Sequence, residues 1–162
     1  LFFFVALSLD ALAIPAQTLV AEDLGRGRPG DAAHVARRAR VLSVWCGAGL
    51  AVLTAALAPV LPHLFTNDGP VIERATGATL WLAALMVPAA IAFAYDGVLI
   101  GAGDYRFLVR AALAYTLVLV PLAVVVLARP GLGIAGIWGG ILTWTVLRAL
   151  VNHRRTKIVL PT

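Results

Sequence analysis

The chain has 162 residues, 61% of them hydrophobic and only 13% charged, with a net charge of +5. Soluble domains carry about 25% charged residues, so the composition excludes an ordinary soluble fold and points to a membrane protein. The single cysteine, Cys46, excludes an internal disulfide framework and a cysteine-based metal site. The positive charge does not read as a nucleic-acid surface, because the basic residues gather at the ends of apolar runs.

The first apolar run covers residues 1–24, broken by Asp10 and Pro15 and closed by Glu22 and Asp23. The chain opens Leu-Phe-Phe-Phe with no initiator Met and no basic leader, so a further span is expected before Leu1. Counting back from Glu22 at 1.5 Å per residue puts Asp10 about 18 Å into the membrane. A charge there costs roughly 2.5–3.5 kcal/mol, so Asp10 should face the bundle interior or a wet cavity. Ala13, Gln17 and Ala21 share its helical face. Two readings stand: Asp10 and Gln17 line a cavity and attract a cation or proton, or Asp10 makes a structural hydrogen bond between helices.

A turn-rich loop, Gly25–Asp31, follows. Asp31 is placed to cap a short amphipathic lead-in with His34, Arg37, Arg38 and Arg40. The second run, 41–65, is free of Lys, Arg, Asp and Glu and long enough for about 30 Å of hydrocarbon; Pro59 and Pro62 bend or end it. Thr66–Pro70 is a turn, and Glu73 and Arg74 lead into the third run, 75–100, with Pro88 inside. The fourth run is 107–128, with Pro121 inside, and the fifth is 132–151. The expected architecture is therefore all-α and polytopic: five spans within 1–152 and a basic tail, 153–162. Prolines in four of the spans fit helices that bend or break at a transport path.

Alternating the sides puts Arg26, Arg28, Arg37, Arg38, Arg40, Arg106, Arg110, Arg148, Arg154, Arg155 and Lys157 together, and leaves Arg74 and Arg129 on the other side. By the positive-inside rule the first side, with the C-terminus, is cytoplasmic. A multi-pass protein of the plasma (inner) membrane is expected.

Between the third and fourth runs the chain reads Ala94-Tyr-Asp-Gly-Val-Leu-Ile-Gly-Ala-Gly-Asp-Tyr-Arg106. Gly101–Asp104 makes the turn, with Asp104 as N-cap of the next helix. Gly97 and Gly101 form a G-x-x-x-G that allows close helix approach, and Gly136 and Gly140 form a second. Asp96 either bonds loop amides or pairs with Arg106 or Arg110, or it belongs to a charge pair that breaks as a gate. Gly101-Ala-Gly103 is no phosphate loop, since the following Gly-Lys-Ser/Thr is missing. Trp45, Trp81, Trp138 and Trp144 read as lipid-facing or interfacial packing. His34, His63 and His153 are too scattered for a metal site, and no nucleophile, base and orienting group occur together, so no enzyme and no metal are expected.

Phe93 to Arg106, F-x-x-D-G-V-L-I-G-A-G-D-x-R, resembles the third span-to-loop junction in the C-terminal half of multidrug and toxic compound extrusion (MATE) transporters, in the DNA-damage-inducible protein F type of branch. Leu9 to Gly27, L-D-A-L-A-I-P-A-Q-T-L-V-A-E-D-L-G-R-G, is similar to the second span of that half. Leu64 to Asp68 resembles its next outer turn, and Gly133 to Gly140 the start of its last span. Pro15 and Ala21–Gly25 depart from the family pattern.

The resemblance implies two six-helix bundles around a central cavity, exporting drug-like or cationic compounds against proton or sodium entry, with no organic cofactor. The chain would supply spans eight to twelve. The N-terminal bundle of the same protein, with the coupling carboxylate, would lie outside it. Expected partners are the lipid bilayer, a small-molecule substrate and that bundle; nucleic acid is not among them. A lipid-linked oligosaccharide flippase of the same superfamily, or a non-transporting membrane remnant or partner subunit, remain as alternatives.

Overall fold

The computed structural model describes the backbone of residues 2–160 and the side chains of 7–160 other than 130. The expected span start at Leu1 and the tail residues Pro161 and Thr162 lie outside the described residues. Five long helices follow one another: α1 (Phe2–Gly25), α2 (Pro29–Leu57), α3 (Gly69–Gly101), α4 (Tyr105–Ala128) and α5 (Gly133–Val159). Two short 3-10 turns, Leu61–Leu64 and Pro130–Leu132, lie in the connections. The protein is all-α and polytopic. Among the described residues α2, α3, α4 and α5 are each long and apolar enough to cross a membrane. Trp45, Leu117 and Leu127 are 73%, 70% and 80% exposed. Apolar surface on that scale suits a lipid surround and not water.

Local chemistry sets the helix ends. α1 and α3 both close with a glycine in the left-handed region, Gly27 at φ +71° and Gly103 at φ +73°. After α3, Gly103 N–H donates to the Ile100 carbonyl and Asp104 N–H to the Leu99 carbonyl, both at 3.0 Å. After α1, Gly27 N–H donates to Leu24 and Arg28 N–H to Asp23. Each pair of bonds is a Schellman closure, which occupies carbonyls the helix leaves free. α3 begins at Asp68, whose carboxylate accepts from Val71 N–H at 3.2 Å.

Several boundaries differ from the sequence expectation. The lead-in with Arg37, Arg38 and Arg40 is continuous with α2, because Pro29 starts the helix and nothing breaks it before Leu57. Asp31 is therefore a first-turn residue, and Arg28 holds the N-cap position. The run 41–65 is not one helix; α2 ends ahead of Pro59, and Pro62 lies in a 3-10 turn. Interior prolines are thus found in three helices, Pro15, Pro88 and Pro121. The basic segment His153–Lys157 forms the last turns of α5.

α3 is the hub, packing against α1, α2 and α5, while α4 rests mainly on α5. Small residues permit this. A Cβ on Gly97 would overlap the Ala13 carbonyl oxygen, and one on Gly101 that of Gln17, so α3 lies backbone to backbone on α1. Gly47 does the same for α2 on α3, where a Cβ would meet Ala90 Cβ at 2.8 Å. Of the second pair, Gly136 is also tight, since a Cβ there would meet Leu132 Cβ at 2.9 Å and Val126 Cγ2 of α4 at 3.1 Å, whereas Gly140 faces α4 loosely and would meet only Leu122 Cβ at 3.9 Å. Alanines 32, 33, 36 and 39 of α2 join Val20, Val98 and Leu160 in one buried core.

Gly97→Ala should therefore destabilise the protein by about 1–3 kcal/mol, because the α1 backbone cannot retreat. Gly77→Ala, which points into open space on the same helix, should be neutral or stabilising by up to about 1 kcal/mol. Thermal unfolding in detergent of the protein with its full native reading frame reads both; equal effects would contradict the close approach.

Candidate functional site

The polar side chains that α3, α4 and α5 turn inward meet at one end of the bundle, the end that carries most of the arginines. On α5 the residues 145, 148, 149, 152 and 156 recur at helical spacing, which brings them to one face. Thr145, Ala149, Asn152 and Thr156 are buried. Arg148 forms an ion pair with Asp96 of α3, through Oδ2. Asn152 Nδ2 donates to the other oxygen, Asp96 Oδ1, at 2.6 Å. The Tyr115 hydroxyl of α4 donates to Asn152 Oδ1 at 2.9 Å. Three helices are thus joined through one carboxylate and one fully buried amide.

Aromatic rings enclose the arginine. The Arg148 guanidinium lies 5.4 Å from the ring centres of both Phe93 and Trp144, a range in which a cation is drawn to the ring face. Beyond it opens an apolar cavity of about 180 Å³ between α1, α3 and α5, with Leu9, Met86, Phe93, Trp144 and Arg148 in its wall. The indole Nε1 of Trp144 is buried and has no hydrogen-bond partner among the described residues.

A second pair lies nearer the end of the bundle. Arg155 Nε donates to Asp104 Oδ2 at 2.6 Å, with the guanidinium 5.1 Å from the Phe107 ring centre. Asp104 occupies the N-cap position of α4 but makes no side-chain capping bond. Its carboxylate is committed to the arginine, a charge-assisted bond that outweighs a cap. On the other side of α5, the Tyr95 hydroxyl and His153 Nδ1 are hydrogen-bonded at 2.5 Å.

The structure corrects the expected pairing of Asp96. Its partner is Arg148 on α5, not Arg106 or Arg110, both of which are exposed on α4. Asp96 and Asp104 are near one another in sequence but take separate arginines from α5. Asp10 is half-buried and has no hydrogen bond or ion pair among the described residues, although it lies close enough for its charge to act on Asp96. Gln17 is half-buried; its backbone carbonyl lies beneath Gly101. Sequence reasoning passed over Arg148 and Asn152. The available signal was an arginine inside an apolar run with an amide one turn on, since a charge at such a position needs a partner.

Comparison with known proteins places these residues in context. The family model described as MatE matches residues 1–125, which hold Asp10, Asp96 and Asp104 but end before α5 begins. The chain is 32% identical over 154 residues to Protein DETOXIFICATION 44, chloroplastic, of Arabidopsis thaliana, covering 93% of this chain and 29% of that protein. It is 28% identical over 152 residues to Protein DETOXIFICATION 45, chloroplastic, of the same plant, covering 93% and 27%. The chain therefore spans less than a third of the length of these curated relatives.

A double-mutant cycle tests the cluster. Asp96→Ala and Arg148→Ala should couple by about 1–3 kcal/mol in unfolding free energy, whereas Asp96→Ala and Arg106→Ala should add independently. Coupling to Arg106 of equal size would overturn the assignment of the partner.

Proposed function

The chain belongs to the MatE family, and from that membership we propose that it forms part of a secondary antiporter. In this reading the protein exports drug-like or cationic compounds, coupled to proton or sodium entry, by alternating access. The observation that carries the reading is the family match over residues 1–125, joined to a half-buried acid, Asp10, that has no partner among the described residues and lies inside a helix of a membrane bundle. An acid in that setting is costly unless a cation, a proton or water reaches it. Asp10 would therefore attract the cationic part of a substrate, or a proton, with Gln17 about two turns further along the same helix. The remainder of the same protein would supply the opposing bundle and the coupling carboxylate.

Asp96 and Arg148 would act as a gate. While paired, they hold α3 against α5 and, through Asn152 and Tyr115, α4 as well. An inward-to-outward change that separates α3 from α5 has to part these charges, so the pair biases the resting state. The apolar cavity beside Arg148 would receive part of an amphipathic substrate, with Phe93 and Trp144 as its aromatic walls.

The charge asymmetry supports an orientation with the arginine-rich end and the C-terminus in the cytoplasm, and a plasma membrane is the setting first proposed for it. A second setting, an organellar membrane, is favoured by the chloroplastic names of the two relatives.

The protein with its full native reading frame, expressed in cells stripped of their own pumps, should lower accumulation of a cationic dye while a proton or sodium gradient is present. Collapsing the coupling gradient should abolish this. Asp10→Asn should reduce export about tenfold or more and flatten its pH dependence, consistent with the loss of more than ~1.4 kcal/mol of favourable charge interaction. Intact export and pH dependence in Asp10→Asn would remove Asp10 from the transport path.

A further inference from the structure

A pocket of about 190 Å³ opens between α2 and α5 at the arginine-rich end, apart from the Asp96 cluster. Arg37 and Arg40 of α2, His153, Thr156 and Lys157 of α5, and Tyr95 of α3 line it. Ala33, Ala36 and Leu160 supply an apolar floor. No aspartate or glutamate takes part in the lining.

The absence of acid follows from where the carboxylates have gone. Glu22 pairs with Arg26, Asp23 and Asp31 with Arg28, Asp96 with Arg148, and Asp104 with Arg155. Asp68 and Glu73 lie before and within the first turn or two of α3, at the opposite end, and Asp10, the eighth acid, lies within α1 and outside the lining. Among the described residues Arg37, Arg40 and Lys157 have no carboxylate partner. Their positive charges therefore converge on one recess without compensation, and Arg40 and Lys157 both act on His153 within it. The geometry is also ordered. Arg37 is hydrogen-bonded to His34 Nδ1 at 3.0 Å, Arg40 lies beside the Tyr95 hydroxyl, and Tyr95 is bonded to His153.

We propose that this pocket is a binding site for a phosphate-bearing anion, held by Arg37, Arg40 and Lys157. Three cationic donors without acidic competitors suit an oxyanion, and guanidinium groups suit its paired oxygens. The depth of the pocket favours a lipid phosphate. Arg37 and Arg40 immediately precede the apolar stretch of α2 that begins at Val41, and His153 and Lys157 follow the apolar stretch of α5 that ends at Val151. The cations thus stand at the level where lipid headgroups meet hydrocarbon, and basic pockets between helices at that level bind anionic headgroups. The apolar floor gives the glycerol and first acyl carbons a surface to lie on. The inference does not depend on whether the protein transports anything.

The test uses the protein with its full native reading frame, purified in detergent, and three probes: dioctanoylphosphatidylglycerol, dioctanoylphosphatidylcholine and inorganic phosphate. Thermal unfolding is followed against probe concentration for the wild type, Arg37→Gln, Lys157→Gln, the double variant and Arg38→Gln. Arg37, Arg38 and Lys157 are exposed, so each variant should fold, and Arg38 lines a different cavity. The phosphatidylglycerol is expected to raise the unfolding temperature saturably and at lower concentration than the phosphatidylcholine. Its apparent affinity should fall about fivefold for each pocket cation removed, and not for Arg38→Gln. If inorganic phosphate gives the same variant-sensitive shift as the phosphatidylglycerol, the site is one for free phosphate; a shift from the lipid alone assigns it to a headgroup. A response that is the same in wild type and double variant, or that Arg38→Gln weakens equally, would overturn the proposal.

Discussion

A carboxylate near the end of an apolar helix must be compensated from outside that helix, and Asp96 sets that requirement for the whole bundle. Its two oxygens take Arg148 and Asn152, and Asn152 in turn takes the Tyr115 hydroxyl. Lipid tails are as apolar as the side chains facing them, so helices in a bilayer gain little from hydrophobic attraction to one another. Association then rests on close packing and on polar contacts between helices. α3 has both: glycines 97 and 101 bring it against the backbone of α1, and Asp96, on the same turn of chain, anchors α5. The glycine contact works because no side chain intervenes, and the polar contact works because three helices contribute to it.

α4 shows what happens where the first of these is missing. It makes little contact with α3 and rests mainly on α5. Its named polar ties, Tyr115 to Asn152 and Asp104 to Arg155, both end on α5. Its outer face presents Leu113, Leu117, Val120, Val124 and Leu127 to the surroundings. α4 is therefore the helix least tied to α3, held to the bundle chiefly through α5.

What the sequence revealed was local. The long apolar helices, the turn at Gly103 and the close-approach glycines at 97 and 101 all depend on residues within a few positions of one another. The pairing of Asp96 did not. Arg106, Arg110 and Arg148 all lie near the same end of their helices, and nothing in the linear chain ranks them as partners. The choice is made by α5 packing beside α3, with a separation of 52 residues between donor and acceptor. Asp104 failed as a cap for a related reason: the local rule is sound, but Arg155 arrives from 51 residues away and offers a stronger bond. Gly47 was missed because it stands alone, without a second glycine four residues off to mark a packing face.

The two Schellman closures leave only Arg26–Arg28 between α1 and α2, and Ala102–Asp104 between α3 and α4. At the opposite end, residues 58–68 separate α2 from α3. The slack in the chain is thus unevenly distributed: two hairpins are clamped at the arginine-rich end, and the longer joint between them lies across the membrane. An epitope or reporter inserted into the clamped turns would pry apart helices whose carbonyls are already spoken for, whereas residues 58–68 offer length to absorb one.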